Sequence, residues 1–230
     1  MPERTPEADS LTPSAARGTP YLVVEGPIGV GKTTLARRLA DHYHCQLLLE
    51  RAEENPFLER FYQDPRRAAL PTQLHFLFQR MRQVEELRQG DLFSDGLVAD
   101  FMLAKERLFA GVTLGDDEYK LYDEVYTRLG PEAPNPDLVI FLQAPVSVLL
   151  ERIARRGRAI ERQIDSGYLQ RLVDAYNRLF YHFDEAPLLI VNAAEIDLSG
   201  SGPDFARLLA QVDTIGQGRH YFNPLPVALA

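Results

Sequence analysis

The chain has 230 residues and a mass of 26.0 kDa, a length that favours one domain with a single core. Apolar residues make up 45% of it and charged residues 25%, which excludes disordered, collagen-like and fibrous proteins. The 25 Lys and Arg residues against 33 Asp and Glu give a net charge of −8, so we expect no nucleic-acid polymer as a partner. A small polyanion is not excluded, because a local cluster of amides and cations can hold it whatever the net charge.

The cysteine count and the apolar runs indicate the compartment. Cys45 is the only cysteine, which excludes an intramolecular disulfide framework and favours a reducing environment. No run approaches the roughly 18 to 20 apolar residues of a membrane helix, and the first twenty residues lack a hydrophobic signal segment. We therefore expect a cytoplasmic protein with no membrane partner. Prolines and polar residues over 1–19 predict a flexible N-terminal arm, and we assign 216–230 to a C-terminal tail.

Short apolar runs alternate with longer helical patterns between these ends. A β-branched run at Tyr21–Glu25 predicts the first buried strand, and apolar residues at helical spacing over 35–43 predict a helix after it. The alternation then continues, which predicts an α/β fold with a five-stranded parallel sheet flanked by helices, in one domain over 20–215. The remaining predicted strands are Gln46–Leu49, Gly96–Asp100, Leu138–Leu142 and Leu188–Val191, and the remaining helices are Leu70–Val84, Val146–Arg156, Tyr168–Phe183 and Asp204–Val212.

A glycine-rich turn joins the first strand to the first helix. Residues 26–34 read Gly-Pro-Ile-Gly-Val-Gly-Lys-Thr-Thr, which fits the P-loop pattern Gly-x4-Gly-Lys-Ser/Thr. In such a loop the backbone N–H groups face phosphate oxygens, Lys32 reaches the β and γ phosphates, and the Thr33 hydroxyl binds Mg²⁺. We therefore expect ATP and Mg²⁺ as cofactors. The predicted contacts in this loop are Gly26, Gly29, Val30, Gly31, Lys32, Thr33 and Thr34.

A P-loop alone leaves a kinase, a GTPase, an ATP-driven motor and a transporter subunit open. The late strand is followed by Gln-Ala-Pro rather than by the Asn-Lys-x-Asp motif with which GTPases recognise the base, which disfavours a GTPase. Four arginines crowd into residues 152–158, and such a cluster is stable when an anion relieves the repulsion. We therefore predict a P-loop kinase fold of three layers with an arginine-rich lid, in which Arg152, Arg156 and Arg158 bind ATP. The alternative is a solvated helix end whose cations favour the helix dipole.

An acidic residue follows the second predicted strand directly. Phosphoryl transfer to a hydroxyl needs a group that orients the hydroxyl and takes its proton. The carboxyl ends of strands line the ligand crevice of open α/β sheets, and Glu50 lies at such an end. The alternative for Glu50 is a solvated strand cap.

Four segments together resemble a known family. They are the P-loop, the stretch Glu50–Tyr62, the triplet Pro71-Thr72-Gln73, and the arginine segment that ends at Glu161. Over about residues 20 to 195 the chain resembles the deoxynucleoside kinases, in particular the bacterial deoxyadenosine/deoxyguanosine kinase type. The resemblance implies transfer of the ATP γ-phosphoryl group to the 5′-hydroxyl of a deoxynucleoside, with a purine base favoured, in nucleotide salvage.

The resemblance also implies roles for individual residues. It makes Glu50 the general base, with Lys32 and the lid residue Arg152 as the other catalytic groups. It assigns Tyr62 and Glu161 to the deoxyribose 3′-hydroxyl. Family members are commonly homodimers, so we expect a homodimer, and the apolar stripe over 70–84 is one candidate interface, although a helix buried within the chain has the same pattern.

Recognition of the base is expected on the long central helix. The resemblance assigns Gln73 to the base edge, and Arg80 lies seven residues later, only about 20° away around a helix, so both side chains can face one pocket. Phe76, Phe78 and Phe109 are candidates for stacking on the base, and Phe109 fits the family pattern best.

The chain departs from the family after the third predicted strand. The family often has an acidic residue followed by Arg and Ser there, whereas this chain has Asp100 followed by Phe101. Asp100 is our candidate for the carboxylate on the Mg²⁺ side of the site, and Lys105 or a lid arginine is the candidate replacement for the missing charge. A structural role for Asp100 is the alternative.

Two other functions remain open on the sequence alone. A nucleoside monophosphate kinase of the thymidylate kinase type shares the P-loop and the lid but needs extra cations for the phosphate of its acceptor. A non-catalytic module that binds nucleotide to switch a partner needs no acceptor pocket at all. Turnover of deoxynucleosides, of monophosphates, or of neither distinguishes the three.

Overall fold

Six parallel strands form a single sheet in the order β2-β3-β1-β4-β5-β6. They belong to a computed structural model that describes residues 20–89, 96–130, 133–196 and 202–223. The predicted N-terminal arm and residues 224–230 of the predicted tail lie outside the described residues. The strands are β1 Tyr21–Glu25, β2 Gln46–Leu48, β3 Leu97–Ala99, β4 Leu138–Gln143, β5 Leu188–Asn192 and β6 Arg219–Phe222.

The predicted count of five strands is wrong, although each of the five predicted strands is present. The sixth strand, β6, lies within the range predicted as a C-terminal tail and pairs with β5 at the edge of the described sheet. Its sequence is Arg-His-Tyr-Phe, in which only Phe222 is buried. An edge strand that buries one side chain has no apolar run, so the pattern used for the other five strands could not find it.

Eight helices connect the strands of the described chain. The two longest, α3 and α7, are 25 and 17 residues long. The helices are α1 Lys32–Tyr43, α2 Leu58–Gln63, α3 Pro65–Gln89, α4 Lys105–Thr113, α5 Asp116–Leu129, α6 Val146–Arg156, α7 Ser166–His182 and α8 Pro203–Val212. None of these helices, within the part of the chain that the structure describes, is both long and apolar enough to span a membrane.

The sheet separates two layers of helices, as predicted for this α/β class. Along β1, Leu22 and Val24 pack into one core with residues of α1, α6 and α8, whereas Val23 packs into a second core with residues of α7 and the start of α4. Alternate side chains of a strand point to opposite faces, so both faces of the central strands are covered. The carboxyl ends of the strands are consequently the sheet edge at which loops remain accessible.

The apolar stripe of α3 is used within the chain. Leu77 is fully buried against Ala110 and Tyr122, and Leu70, Leu74 and Met81 pack on the same cluster between α3, α4 and α5. The helix buried within the chain is therefore the correct interpretation of this stripe, and the stripe is not a free dimer interface.

Candidate active site

The loop between β1 and α1 adopts a conformation that requires glycine. Gly26 has a φ of 147°, and a Cβ atom there would lie 2.5 Å from the backbone oxygen of Leu142. Gly29 has a φ of 86°, and a Cβ atom there would lie 2.8 Å from Cγ1 of Ile153. Both positions combine a left-handed backbone with a close approach, so the loop is wrapped tightly against β4 and α6. Val30, fully buried in the core, fixes the middle of the loop.

A groove of about 430 Å³ opens in front of this loop. Lys32 lies in it, and its Nζ donates hydrogen bonds to the backbone oxygens of Gly26 at 2.8 Å and Pro27 at 3.2 Å. Burial and the neighbouring Lys105 lower the pKa of Lys32. An anion in the groove would therefore stabilise the charged ammonium. The groove is lined by residues 29–34 together with Arg152, Arg155, Arg156 and Ile196, so of the predicted loop contacts only Gly26 does not line it.

The lid arginines have different partners. Arg152 donates to the backbone oxygens of Val30 at 3.0 Å and Ala193 at 2.7 Å, which ties the P-loop to the end of β5. Arg156 forms a two-pronged ion pair with Glu161. Arg158 pairs with Glu53 at 2.6 Å, and the groove lining does not include it. The structure thus brings Arg152 and Arg156 to the phosphate groove and places Arg158 outside its lining.

Asp100 lies directly after β3 and faces the P-loop. Its Oδ2 accepts a hydrogen bond from the Thr33 hydroxyl at 2.6 Å, and its Oδ1 accepts one from the backbone N–H of Glu50 at 2.7 Å. The hydroxyl and the carboxylate are hard oxygen donors of the kind that Mg²⁺ binds, usually through one or two protein oxygens with phosphates and waters completing the shell. The predicted pair Thr33 and Asp100 therefore fits Mg²⁺ by its chemistry. The described residues contain no group of three or more His, Cys, Asp or Glu side chains that could hold a metal.

The carboxylate of Glu50 is held between two cations at the same sheet edge. Its Oε2 accepts a hydrogen bond from Lys105 Nζ at 3.0 Å, and its Oε1 pairs with the Arg80 guanidinium. Burial alone would raise the pKa of Glu50, but Lys105, Arg80 and Lys32 outweigh it and lower that pKa to about 2. The side chain remains 23% exposed. Glu50 is therefore an ionised carboxylate that solvent or a substrate can reach.

A second carboxylate, Glu25, lies close to Lys105, and the sequence pattern did not single it out. Glu25, the last residue of β1, is fully buried and accepts hydrogen bonds from the N–H of Gly26 at 3.1 Å, the N–H of Met102 at 2.8 Å and the Tyr176 hydroxyl at 3.0 Å. It also lies 3.8 Å from Lys105 Nζ. Glu25 thus joins the P-loop to the segment after β3. Its position at a strand end, the signal that identified Glu50, could have revealed it.

The predicted base-recognition residues are buried on one face of α3. Gln73 and Arg80 are 2% and 3% exposed. Arg80 pairs with Glu106 as well as with Glu50, and its Nε has no hydrogen-bond partner among the described residues. The Arg80 guanidinium lies 4.9 Å from the centre of the Phe76 ring. Glu106, which accepts a hydrogen bond from the Tyr122 hydroxyl at 3.3 Å, was not found from the sequence.

The aromatic candidates separate by position. Phe76 lies on the Arg80 side of α3, whereas Phe78 is 46% exposed and lies on another face, so the structure does not bring Phe78 to the site. Phe109 lies one turn after Lys105 on the same face of α4. Its ring packs edge-on against the Tyr176 ring, with 6.1 Å between the two ring centres. Phe76 therefore lies beside the Arg80 that pairs with Glu50, and Phe109 lies beside the Tyr176 that donates to Glu25.

Tyr62 and Glu161 lie near each other, as the resemblance implies. Tyr62 is on α2, and Glu161 ends the short 3-10 helix Ala159–Glu161 that packs against α2. Burial, followed by the charges of Glu161 and Glu50, raises the pKa of Tyr62, so its hydroxyl stays protonated and can donate a hydrogen bond. The pair provides a donor and an acceptor close to the Glu50 carboxylate.

Comparison with known proteins assigns this site to a family. The family model for deoxynucleoside kinases matches residues 22–216 of the chain. The chain belongs to the deoxynucleoside kinase family. It is therefore an enzyme whose phosphoryl acceptor is a deoxynucleoside, which decides against both the monophosphate kinase and the non-catalytic switch that the sequence alone left open.

Individual relatives of this deoxynucleoside kinase agree with the family assignment. It is 32% identical to a deoxyguanosine kinase of Bacillus subtilis (strain 168), over 84% of this chain and 96% of that one. It is 27% identical to a deoxyadenosine/deoxycytidine kinase of the same organism, over 84% and 92%. Among solved structures, it superposes on a deoxyadenosine kinase from M. mycoides with bound dATP with a TM-score of 0.74, at 21% identity, over 84% of this chain and all of that chain. The superposition shows that the two chains share a fold.

Proposed function

We propose that this kinase transfers the γ-phosphoryl group of ATP to the 5′-hydroxyl of a purine deoxynucleoside, deoxyadenosine or deoxyguanosine, and so yields the 5′-monophosphate for nucleotide salvage. The observation that carries the proposal is the ionised Glu50 carboxylate, held by Lys105 and Arg80 at the sheet edge next to the P-loop. In the reaction the 5′-oxygen forms a bond to the γ phosphorus, the bond from that phosphorus to the β-γ bridging oxygen breaks, and ADP leaves.

The donor side of the site stabilises the negative charge of the phosphates. Lys32 exchanges its two backbone contacts for the β and γ phosphates, and the N–H groups of the P-loop face the same anion. Arg156 lies in the groove beside them. Thr33 and Asp100 would hold Mg²⁺, which neutralises and orients phosphate oxygens when it is bound. Arg152 fixes the P-loop backbone by donating a hydrogen bond to the backbone oxygen of Val30.

The acceptor proton goes to the carboxylate of Glu50. A pKa of about 2 makes Glu50 a weak base at rest, but phosphoryl transfer passes through a loose transition state in which the hydroxyl loses its proton late. Before that transfer Glu50 also orients the hydroxyl by accepting its hydrogen bond. Lys105 provides the positive charge where the family often has arginine, because it reaches Glu50 at 3.0 Å while Arg156 and Arg158 pair elsewhere.

Two groups on α3 are available to a base edge, and the purine preference is taken from the family resemblance. Gln73 offers both a donor and an acceptor for a base edge, and the buried Nε–H of Arg80 is a donor without a partner among the described residues. Adenine and guanine both present the acceptor N7, which pyrimidines lack. The similarity to a deoxyguanosine kinase at 32% identity supports the same preference. Tyr62 and Glu161 bind the 3′-hydroxyl.

Substitution of Glu50 tests the proposal. Glu50→Gln keeps the shape of the side chain but cannot take a proton, so we expect kcat to fall by about 10²- to 10³-fold while the KM for ATP changes little. Steady-state assays of ADP release with a purine deoxynucleoside measure both. Glu86→Gln, an exposed glutamate on α3, serves as the matched control. Near-normal turnover of Glu50→Gln would remove Glu50 from the role of base.

Two broader features also belong to the proposal. We propose a homodimer on the strength of the family resemblance, and sedimentation analysis of the purified chain tests it: a monomer at micromolar concentration would contradict it. We also propose a cytoplasmic location, for which the single cysteine gives support.

A further inference from the structure

Two buried glutamines of α3 hold the backbone on either side of Glu50. Gln83 Nε2 donates a hydrogen bond to the backbone oxygen of Leu49 at 3.0 Å, and Gln79 Nε2 donates one to the backbone oxygen of Arg51 at 3.1 Å. The two side chains are 3% and 4% exposed. Each glutamine therefore fixes one of the residues that flank Glu50 in the chain.

The sheet does not supply these contacts. Strand β2 ends at Leu48 and lies at the edge of the sheet that the described residues form, next to β3, so the chain has left the hydrogen-bonded ladder before it reaches Glu50. The N–H of Glu50 donates to Asp100 rather than to a strand. Backbone carbonyls that have left the ladder need other partners, and the side-chain amides of α3 provide them here. Helix α3 consequently holds the backbone on both sides of Glu50, while Asp100 holds its N–H.

The orientation of both amides follows from their partners. A backbone carbonyl only accepts, so the NH₂ end of each glutamine must face it, and the reverse orientation would bring two acceptors together. In Gln83 this leaves Oε1 buried without a hydrogen-bond partner among the described residues. Gln79 and Gln83 are four residues apart and share a face of α3, and between them Arg80 pairs with the Glu50 carboxylate. One helix thus contacts the side chain of residue 50 and the carbonyls on both sides of it.

We propose that Gln79 and Gln83 are positioning residues that aim the Glu50 carboxylate at the acceptor hydroxyl. In this role they act through the backbone of residues 49–51, and Gln79 Nε2 also donates to the Glu54 carboxylate at 3.2 Å. The proposal rests on the role of Glu50 as general base. A misplacement of the reacting groups by about 1 Å can lower a rate on the order of 100-fold, so the loss of one of two holding contacts is expected to have a smaller effect of about 10-fold.

The test is a double-mutant cycle with Glu50. Gln83→Met and Gln79→Met each remove the donor while keeping the side-chain volume, and each is made in the wild-type chain and in Glu50→Gln. Single-turnover phosphoryl transfer is measured with Mg-ATP and whichever of the four deoxynucleosides the wild type phosphorylates fastest. We expect a fall of about 10-fold in the wild-type background with an unchanged KM for ATP, and no fall in the Glu50→Gln background.

The control and the possible outcomes separate this proposal from the role of Glu50. Gln170→Met, at an exposed glutamine of α7, is expected to leave the rate unchanged. Equal losses in both backgrounds, or no loss in either, would overturn the positioning role, since a purely structural contact acts whether or not the carboxylate is present. If Gln83→Met does not give a cooperative thermal melt, the Gln79→Met cycle decides the question alone. Near-normal turnover of Glu50→Gln, in contrast, would overturn the general-base assignment itself.

Discussion

At the scale of single residues, Asp100 connects the donor and acceptor sides of the site. One carboxylate oxygen accepts from Thr33 on the P-loop, and the other accepts from the N–H of Glu50. If Asp100 and Thr33 hold Mg²⁺, then Asp100→Asn removes a charged oxygen ligand but keeps a group of the same size. We expect the Mg²⁺ concentration for half-maximal rate to rise on the order of 10-fold, measured by Mg²⁺ titration at saturating ATP. An unchanged Mg²⁺ requirement would contradict the metal role of Asp100.

Lys105 controls the charge state of Glu50, which makes a prediction about pH. Lys105 is one of the cations that lower the pKa of Glu50 to about 2, so Lys105→Met raises that pKa and Glu50 takes up a proton at a higher pH. We expect the variant to lose activity on acidification before the wild type does. In the wild type the lowered pKa of Glu50 adds to the free energy of unfolding above the unfolded pKa of about 4.3, and this contribution disappears as the pH falls towards 2. Because Lys105→Met raises the pKa of Glu50, the variant has a smaller contribution of this kind.

Parallel pH profiles of kcat over KM for the wild type and Lys105→Met check the predicted loss of activity on acidification. Lys120→Met, which removes an exposed lysine of α5 paired with Asp117, is the matched control and is expected to follow the wild type. Acid limbs that coincide in wild type and Lys105→Met would show that Lys105 does not govern Glu50.

The residues that sequence could predict share one property. Glu50 and Asp100 each follow an apolar run, and the carboxyl ends of parallel strands meet at one edge of the sheet. The local sequence pattern was therefore enough to predict that the two side chains lie close together. Gln79, Gln83 and Glu106 gave no such signal, because their partners are decided by how α3 packs against α4 and the segment after β2. A buried polar side chain in a helix is identified only when its partner is known.

At the scale of elements, α3 combines an apolar stripe with a polar one. The apolar stripe packs on α4 and α5 through Leu77. The polar stripe, Gln79, Arg80 and Gln83, faces Glu50 and the residues beside it after β2. Leu77→Ala leaves a cavity in a fully buried position, and we expect a loss of about 3 to 5 kcal/mol in the free energy of unfolding. Denaturant unfolding measures it, with Leu121→Ala at an exposed leucine of α5 as the control, expected to change stability by less than about 0.5 kcal/mol. Similar losses for both variants would contradict the assigned core.

Strong periodicity decided which elements the sequence predicted well. Helix α6 was predicted with the bounds that the structure has, because its apolar face is regular and Pro145 and Gly157 mark its ends. The helix predicted over 70–84 is longer in the structure. Helix α3 runs over Pro65–Gln89 and contains Pro71. Strand β6 was missed because an exposed edge strand need not be apolar.

At the scale of the whole molecule, an acidic chain concentrates its functional cations at one edge of the sheet. Lys32, Arg80, Lys105 and Arg156 lie around the carboxyl ends of β1, β2 and β3, each within reach of a carboxylate or the phosphate groove. The net charge of −8 therefore says little about the site, although it still argues against a nucleic-acid polymer as a partner. The carboxylates Glu25, Glu50 and Glu161 belong to the site rather than to a repulsive surface.

The acceptor is the most direct test of the central claim. The purified chain is given Mg-ATP with deoxyadenosine, deoxyguanosine, deoxycytidine, thymidine or the matching 5′-monophosphates, and the products are identified by chromatography and phosphorus NMR. We expect 5′-monophosphate from a purine deoxynucleoside, with kcat over KM at least about 10-fold above that for either pyrimidine deoxynucleoside. A pyrimidine deoxynucleoside as the best acceptor, a phosphate on the 3′-oxygen, or turnover of monophosphates alone would contradict the account.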